Sequence, residues 1–474
     1  MSDRIEQKEH LDLIMQHSKP LKIAVIGSGI SGLSCAWLLS RQDQVAVTLF
    51  EKDDRRGGHS NTVEVDTAQG PVPVDTGFIV FNPKNYPNLV ELFKYLKVPV
   101  KPTEMSFGIS LDNGKMEYSG SGLQGLFAQP GNLLRPRFIN MVLDILRFYK
   151  ETSSADFFLD EHITLRQFIQ EGGYGDAFRD EHLLPMGAAI WSTPADKMLD
   201  YPASAFLRFC ANHGLLQIND RPQWHTVTGG SREYVQRLCD DIDGSIHKVS
   251  NSTILTDRAV RHVRRIGGKA IITDWQGDTW KFDHVVFACH ADQTLKLLAD
   301  ARADETDVLK HFHFERNRAV LHSDTALMPQ RKKVWSSWNY MGETTHQGRK
   351  LSVSYWMNSL QHLTTDQTMI VTLNPFKEPA EGTVHASFLY DHPVFDLHTT
   401  QAQKRLWDIQ GQNNTWFCGA WCGYGFHEDG LQSGLAVAEA LGGMKRPWNV
   451  PDMYSRLPLP EGWLERFENQ GAAA

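Results

Sequence analysis

Cysteine is scarce in this chain: six residues, at positions 35, 210, 239, 289, 418 and 422 of 474. None forms C-x-x-C, and the closest pair, Cys418 and Cys422, has no histidine pair at zinc-like spacing. This usage argues against a disulfide framework and a metal centre, and it suits a reducing cytoplasm. An excess of positive charge is missing too. The net charge is -8 and the pI about 6.2, which argues against a nucleic-acid partner. The N-terminal stretch MSDRIEQKEHLDLIMQHSKP mixes acids and bases and lacks the apolar core of a signal peptide. Long apolar runs are equally rare. The uncharged stretch from Ile23 to Ser40 has 18 residues, enough to suggest a membrane span, but Gly27, Gly29, Gly32 and four serines interrupt it. It divides instead into a strand and a helix.

The residues that are present point to nucleotide binding. A chain of 474 residues is too long for one core, so two domains are expected. Lys22 to Ile26 is a short β-branched run that reads as a buried parallel strand. Gly27-Ser28-Gly29-Ile30-Ser31-Gly32 comes next, and Leu33 to Ser40 reads as a helix. Val45 to Glu51 is a second strand ending in an acid, 19 residues after Gly32. Gly27 permits a tight turn, Gly29 lets backbone approach a pyrophosphate, and Gly32 allows the helix to pack closely on the strand. The helix N-terminus offers free N–H groups and a positive dipole end to the phosphates, and Glu51 accepts from the ribose hydroxyls. A second G-x-G-x-x-G, Gly120 to Gly125, is a decoy by the same criteria. Lys115 to Ser119 is a poor buried strand, and Pro130 and Pro136 interrupt the stretch where the helix should run.

After Glu51 the chain reads Lys52-Asp-Asp-Arg55-Arg-Gly57-Gly58-His59. An acid, a short spacer and Arg-x-Gly-Gly resembles the flavin-containing amine oxidoreductase superfamily, which includes amine oxidases and phytoene desaturases. The resemblance implies FAD, with Gly57 and Gly58 lying against the pyrophosphate and Arg55 neutralising its charge. Thr76-Gly77-Phe78 looks like the loop that approaches the isoalloxazine. Thr253 to Val260 looks like the strand whose backbone meets adenine near Val260. Trp416 to Ala420 looks like a strand and turn through Gly419, and Asp429-Gly430-Leu431-Gln-Ser433 opens a last helix, Leu431 to Leu441, whose N-terminus stabilises charge on reduced flavin. Related flavoproteins often place an acid where Ala420 stands, and Glu428 or Asp429 is the candidate to replace it.

The implied fold is α/β: a Rossmann-like FAD-binding domain over 19–83, 225–300 and 408–446, with an inserted substrate domain of mixed sheet and helices over 84–224 and 301–407. Residues 1–18 and 447–474 are expected to be peripheral tails. Trp338-Asn-Tyr, Tyr355-Trp-Met-Asn, Thr372-Leu-Asn-Pro and Gly-Phe-His-Glu-Asp-Gly together resemble a narrower bacterial group, similar to the N-terminal half of plant cyclopropane-fatty-acid synthases. Members of that group are associated with lipid methyltransferases, so the resemblance implies a fatty-acyl substrate and such an enzyme as a partner. Hydride would pass from a substrate carbon to flavin N5, with His427 or Glu428 as the candidate for removing the proton. The alternative is that Glu428 and Asp429 cap the last helix. Trp338 and Tyr355 are candidates for the substrate side. An amine oxidase with a reshaped aromatic cage, and a non-redox flavin isomerase or methyltransferase partner, remain the other readings. Finally, Leu134, Phe138, Met141, Val142, Ile145 and Tyr149 share one helical face, with arginines around it. This is a packed substrate-domain helix or one that meets the inner-membrane surface.

Overall fold

The uncharged sequence around the first glycines folds into a deeply buried unit. The computed structural model describes residues 19–120, 122–152, 163–191, 195–212, 222–244, 251–346 and 348–468; the expected tail 1–18 lies outside them. Every residue of the helix Ile30–Ser40 is buried, as expected of a helix with no polar face. On one side lies a five-stranded parallel sheet, ordered 253–255, 45–50, 21–26, 284–287, 415–417. The helices Arg232–Ile242 and His427–Gly442 also pack against the helix Ile30–Ser40. The last of these comes very close. A Cβ on Gly434 would stand 2.2 Å from the Ser31 carbonyl oxygen, and one on Gly32 would stand 1.9 Å from the Gly27 carbonyl oxygen.

The second sheet has seven strands, ordered 384–394, 313–322, 370–373, 348–356, 338–345, 107–111, 116–119, and is mixed. Trp338 pairs with Tyr355, and Tyr355 with Val371. By alternation, Leu373 shares their face, which turns toward the first domain. The other face carries Asn339, Ser354 and Thr372. It is not solvated: Ser354 Oγ donates to the Leu327 carbonyl at 2.7 Å and lies 2.8 Å from Thr372 Oγ1, under the segment after the strand His313–His322.

Several expectations need correction. The second G-x-G-x-x-G does come after a strand, Met116–Ser119, but an antiparallel edge strand, and only the short helix Gly122–Leu126 comes next. The strand tolerates the buried Glu117 because Arg331, Ser110 and the Gln330 and Arg331 backbone N–H groups donate to its carboxylate. The last helix starts at His427, four residues before the expected Leu431, because Asp429 accepts from the Phe426 N–H at 2.8 Å and closes the first turn. Thr253 to Val260 is not one strand. Thr253–Leu255 joins the parallel sheet, and Val260 begins a separate antiparallel strand, Val260–Ile266.

Residues 448–468 of the expected tail 447–474 are not peripheral, and 469–474 lie outside the described residues. Trp448 stacks on Trp37, and Trp463 is buried edge-to-face against Trp407. Leu89, Leu92 and Phe93, placed by sequence in the substrate domain, belong to the first core. The helix 136–152 buries Phe138, Met141 and Phe148. Two members of the apolar face expected at a membrane are therefore internal. Among the described residues, no helix is long and apolar enough to cross a membrane.

Gly434→Val is expected to push the last helix off Ile30–Ser40, lower stability by roughly 1–3 kcal/mol, and reduce retained flavin. Thermal melts and flavin absorbance of the purified variant check this. Wild-type values for both would refute the clamp.

Candidate active site

The turn after the first strand is shaped by its own backbone. Gly27 takes φ +107°, and a Cβ there would collide with the Ala288 carbonyl oxygen at 2.8 Å. A Cβ on Gly29 would meet nothing within 4 Å, because that residue faces open space. The helix beginning at Ile30 has no side-chain cap and no acid in its first turn. Its first N–H groups are thus left to an anion. Glu51, at the end of the second strand, accepts from the Ser28 N–H at 2.9 Å and the Ser28 hydroxyl at 2.5 Å. Gly57 N–H donates to the Ser28 carbonyl at 3.0 Å, and Arg55 donates to the Gly58 carbonyl at 2.8 Å. The turn and the Arg-x-Gly-Gly loop therefore form one unit.

These elements line a cavity of about 680 Å³, within the roughly 300–1,000 Å³ of cofactor and ligand sites. Of the residues singled out by sequence, Gly27, Ser28, Gly29, Ile30, Ser31, Glu51, Lys52, Arg55, Gly58 and His59 line it. So do Thr76, Gly77, Phe78, Val260, Gly419, His427, Trp338 and Tyr355. Gly32 and Gly57 stand behind the lining. So does Gly430, where a Cβ would stand 2.9 Å from Ile30 Cγ2. Leu431 is a core residue, and Ser433 accepts from the Gly419 N–H at 3.0 Å. Ala420 lines the cavity, while Asp429 does not.

The adenine dinucleotide half of FAD fits this arrangement on three counts: the open Gly29 backbone, the uncapped helix start, and the acid beside the second strand. Three buried ring nitrogens in the lining, His59 Nε2, His290 Nδ1 and Trp338 Nε1, have no hydrogen-bond partner among the described residues. They leave polar capacity for a bound molecule.

The two residues named as proton acceptors have other roles. Glu428 is fully buried and away from the lining. Its carboxylate accepts from the Asn88 N–H at 3.0 Å, the Asn88 amide at 2.8 Å, the Leu89 N–H at 3.0 Å and Gln432 at 2.9 Å. It caps the helix Pro87–Tyr95 rather than its own. His427 reaches the cavity, but its ring stacks on Phe78 at 3.8 Å, and its Nε2 lies 2.9 Å from Ser60 Oγ and 3.0 Å from Tyr234 Oη. Burial pushes its pKa down to about 3. An imidazole so weakly basic is a poor proton acceptor near neutral pH.

Other residues emerge only in three dimensions. Asp75 is buried and accepts from Thr62, from the Ser231 N–H and hydroxyl, and from Gln361 at 2.9 Å. It ties the Thr76 loop to the Gly229-Gly230 turn, and burial raises its pKa to about 6. Tyr390 bonds Asn61 at 2.9 Å and Thr76 Oγ1 at 2.8 Å. His59, His290 and His392 cluster, with ring centroids 6.5 and 5.3 Å from His59. Burial, then the His392 and His290 imidazoles, hold the His59 pKa well below its ordinary value. The alternation Ala386, Phe388, Tyr390, His392 was a usable signal for the last strand; His290 carried none. Among the described residues no metal-binding group is found.

Comparison with known proteins gives the chain its relatives. The profile described as flavin containing amine oxidoreductase matches residues 30–442. No curated protein matches the chain. Solved structures share the fold at low identity. A CLA-producing fatty acid isomerase from P. acnes is 13% identical with a TM-score of 0.61, covering 88% of this chain and 97% of its own. A putative protoporphyrinogen oxidase from Exiguobacterium sp. 255-15 is 14% identical, at 0.62, covering 89% and 98%. Cyclohexylamine oxidase from Brevibacterium oxydans IH-35A is 15% identical, at 0.61, covering 89% and 99%.

Glu428→Ala is expected to lower stability by roughly 1–3 kcal/mol by stranding the donors of Asn88 and Leu89. Glu428→Gln should leave flavin reduction at its wild-type rate. Thermal melts and stopped-flow absorbance separate the two effects, and a slowed Gln variant would restore a role as base. The pH response is set by the histidines. Burial sets His427 near 3 and His392 near 4. Both are below the ordinary 6.5, so their stabilisation is full above pH 6.5 and is lost as pH falls. Asp75 and Asp429, both raised to about 6 by burial, act with the opposite sign and lose their contribution as pH rises from 4 to 6. Between pH 6.5 and 6 the two aspartates gain protons and offset part of the histidines' loss, in wild type and variant alike, so the melting temperature should drop less in His392→Gln than in the wild type. An identical drop in that variant would contradict the assignment.

Proposed function

The chain belongs to the flavin-containing amine oxidoreductase family and is an FAD-dependent oxidoreductase, and within that activity we propose that its substrate is a fatty-acyl chain, free or phospholipid-derived. The observation that carries the proposal is the apolar row of the seven-stranded sheet facing the cavity. Trp338, Tyr355, Val371 and Leu373 line it from neighbouring strands, with Phe314 and Leu389 beside them. Such a wall binds an alkyl chain by excluding water.

An ammonium group would find little there. Glu51 is held by Ser28, and Asp391 is paired with Arg316 at 2.8 Å. Trp338 and Tyr355 meet edge-to-face at 5.5 Å and 79°, so they do not form two parallel walls around a cation. A desolvated charge without a partner is costly. A fatty acid isomerase is among the solved structures that share the fold.

FAD, when bound, supplies the hydride acceptor. The chain supplies binding and orientation. The helix start at Ile30, with Arg55 and the Gly58 loop, would hold the pyrophosphate. The sheet row orients the acyl chain and keeps the cavity dry. Tyr390 and Asp75 fix the Thr76 loop between the two regions.

The test is anaerobic mixing of FAD-loaded protein with free fatty acids, phospholipids, and primary and secondary amines, following the flavin spectrum. Bleaching by acyl substrates, reduced roughly tenfold in kcat/KM by Trp338→Ala with flavin content unchanged, is expected. Bleaching by amines alone would overturn the proposal. Migration of an acyl double bond without net bleaching would select the isomerase reading over oxidation.

A further inference from the structure

Eleven large hydrophobic residues stand exposed among the described residues, and five of them are leucines between positions 123 and 146. Leu123 is 74% exposed, Leu133 51%, Leu134 87%, Leu143 58% and Leu146 47%. Single exposed leucines need no explanation, but this concentration does. Four of them belong to one short run of chain: Leu133 and Leu134 end the turn Pro130–Leu134, and Leu143 and Leu146 lie on the helix Pro136–Thr152.

The helix has two apolar faces. One, with Phe138, Met141 and Phe148, is spent on the core. The other carries Leu143 and Leu146 in solvent, with Ile139 and Val142 half-buried beside them. Ile139, Leu143 and Leu146 have i, i+4, i+7 spacing and so form one stripe, which Lys150 extends by a further turn. A helix that only closes the substrate domain needs the first face and not the second.

Charge identifies what covers the second. From Gly122 to the helix end at Thr152 the chain has four basic residues (Arg135, Arg137, Arg147 and Lys150) and two acids, Asp144 and Glu151. Arg137 pairs with Glu181 and Arg147 with Asp144, which leaves Arg135 and Lys150 as the cations beside the stripe. Arg135 and Lys150 are exposed and bracket the stripe. Leucines on one face with basic residues at the edges match the boundary of an anionic bilayer, where acyl chains take the leucines and phosphates the cations.

We propose that Leu133, Leu134, Leu143 and Leu146 form a docking surface for an anionic phospholipid bilayer, which the protein meets reversibly with the helix 136–152 lying in the interface plane. The proposal is independent of the substrate, since it rests on a surface outside the cavity lining.

The experiment is co-sedimentation of FAD-loaded full-length protein with vesicles of phosphatidylcholine alone and of phosphatidylcholine with one-quarter phosphatidylglycerol. The expected result is binding to the anionic vesicles, weakened by salt, and lost by roughly tenfold or more in Leu143→Gln/Leu146→Gln with flavin content and melting temperature retained. If that variant fails to fold, Arg135→Glu/Lys150→Glu serves instead and should weaken binding to anionic vesicles only. Wild-type protein that stays in the supernatant overturns the proposal, as does undiminished sedimentation of the folded leucine variant. A wild-type dimer in solution that the leucine variant converts to monomer would also overturn it, by showing a second copy on the stripe.

Discussion

The structure depends on one close approach: the helix Ile30–Ser40 lies with its start pinned against Gly27 on one side and the last helix on the other. Both contacts require the absence of a side chain, at Gly32 and at Gly434. The first brings the helix N-terminus to the end of the central strand. The second recruits a segment some 400 residues later in the chain, and with it Gly419, Gly425 and His427, to the same cavity. Interiors packed at crystal-like density do not absorb even one extra carbon at such points without a shift. The geometry of the cofactor cradle is therefore set by two hydrogen atoms where other residues carry a Cβ.

Around that clamp, buried carboxylates act as fasteners between distant segments. Glu51 joins the second strand to the first turn. Asp75 joins the Thr76 loop to the turn before Arg232–Ile242 and to Gln361 of the second domain. Glu428 joins the last helix to the helix 87–95. Each carries several donors, which is the condition for a buried acid to be tolerated. Together they hold the floor of the cavity, while the sheet row from Trp338 to Leu373 forms its wall. A polar, hydrogen-bonded floor and an apolar wall divide the cavity into a part suited to a charged dinucleotide and a part suited to a hydrocarbon.

How much of this was legible varied with the range of the interactions. The glycine turn, the helix and the acid 19 residues on were readable because their physics is local: each residue meets neighbours within one strand–turn–helix unit. The substrate strands were readable as alternation, although the sequence does not show that their polar face is buried under another segment. Glu428 was misread because its partners, Asn88 and Leu89, lie 340 and 339 positions away. The same distance hid the packing of Trp463 on Trp407 and made the stretch after 447 look like a tail.

By itself, then, the sequence determined that a turn, a helix start and an acid suited to a dinucleotide follow the first strand, since turn geometry, free amides and a following acid are properties of contiguous residues. It also determined the membership of the chain in a flavin family. The tertiary structure alone decided which acids face the cavity and which cap helices, that the histidines at 59, 290 and 392 meet, and that the helix 136–152 keeps a second apolar face in solvent. Those outcomes turn on which distant surfaces cover a side chain, and periodicity reports only that a face is apolar, not what lies against it.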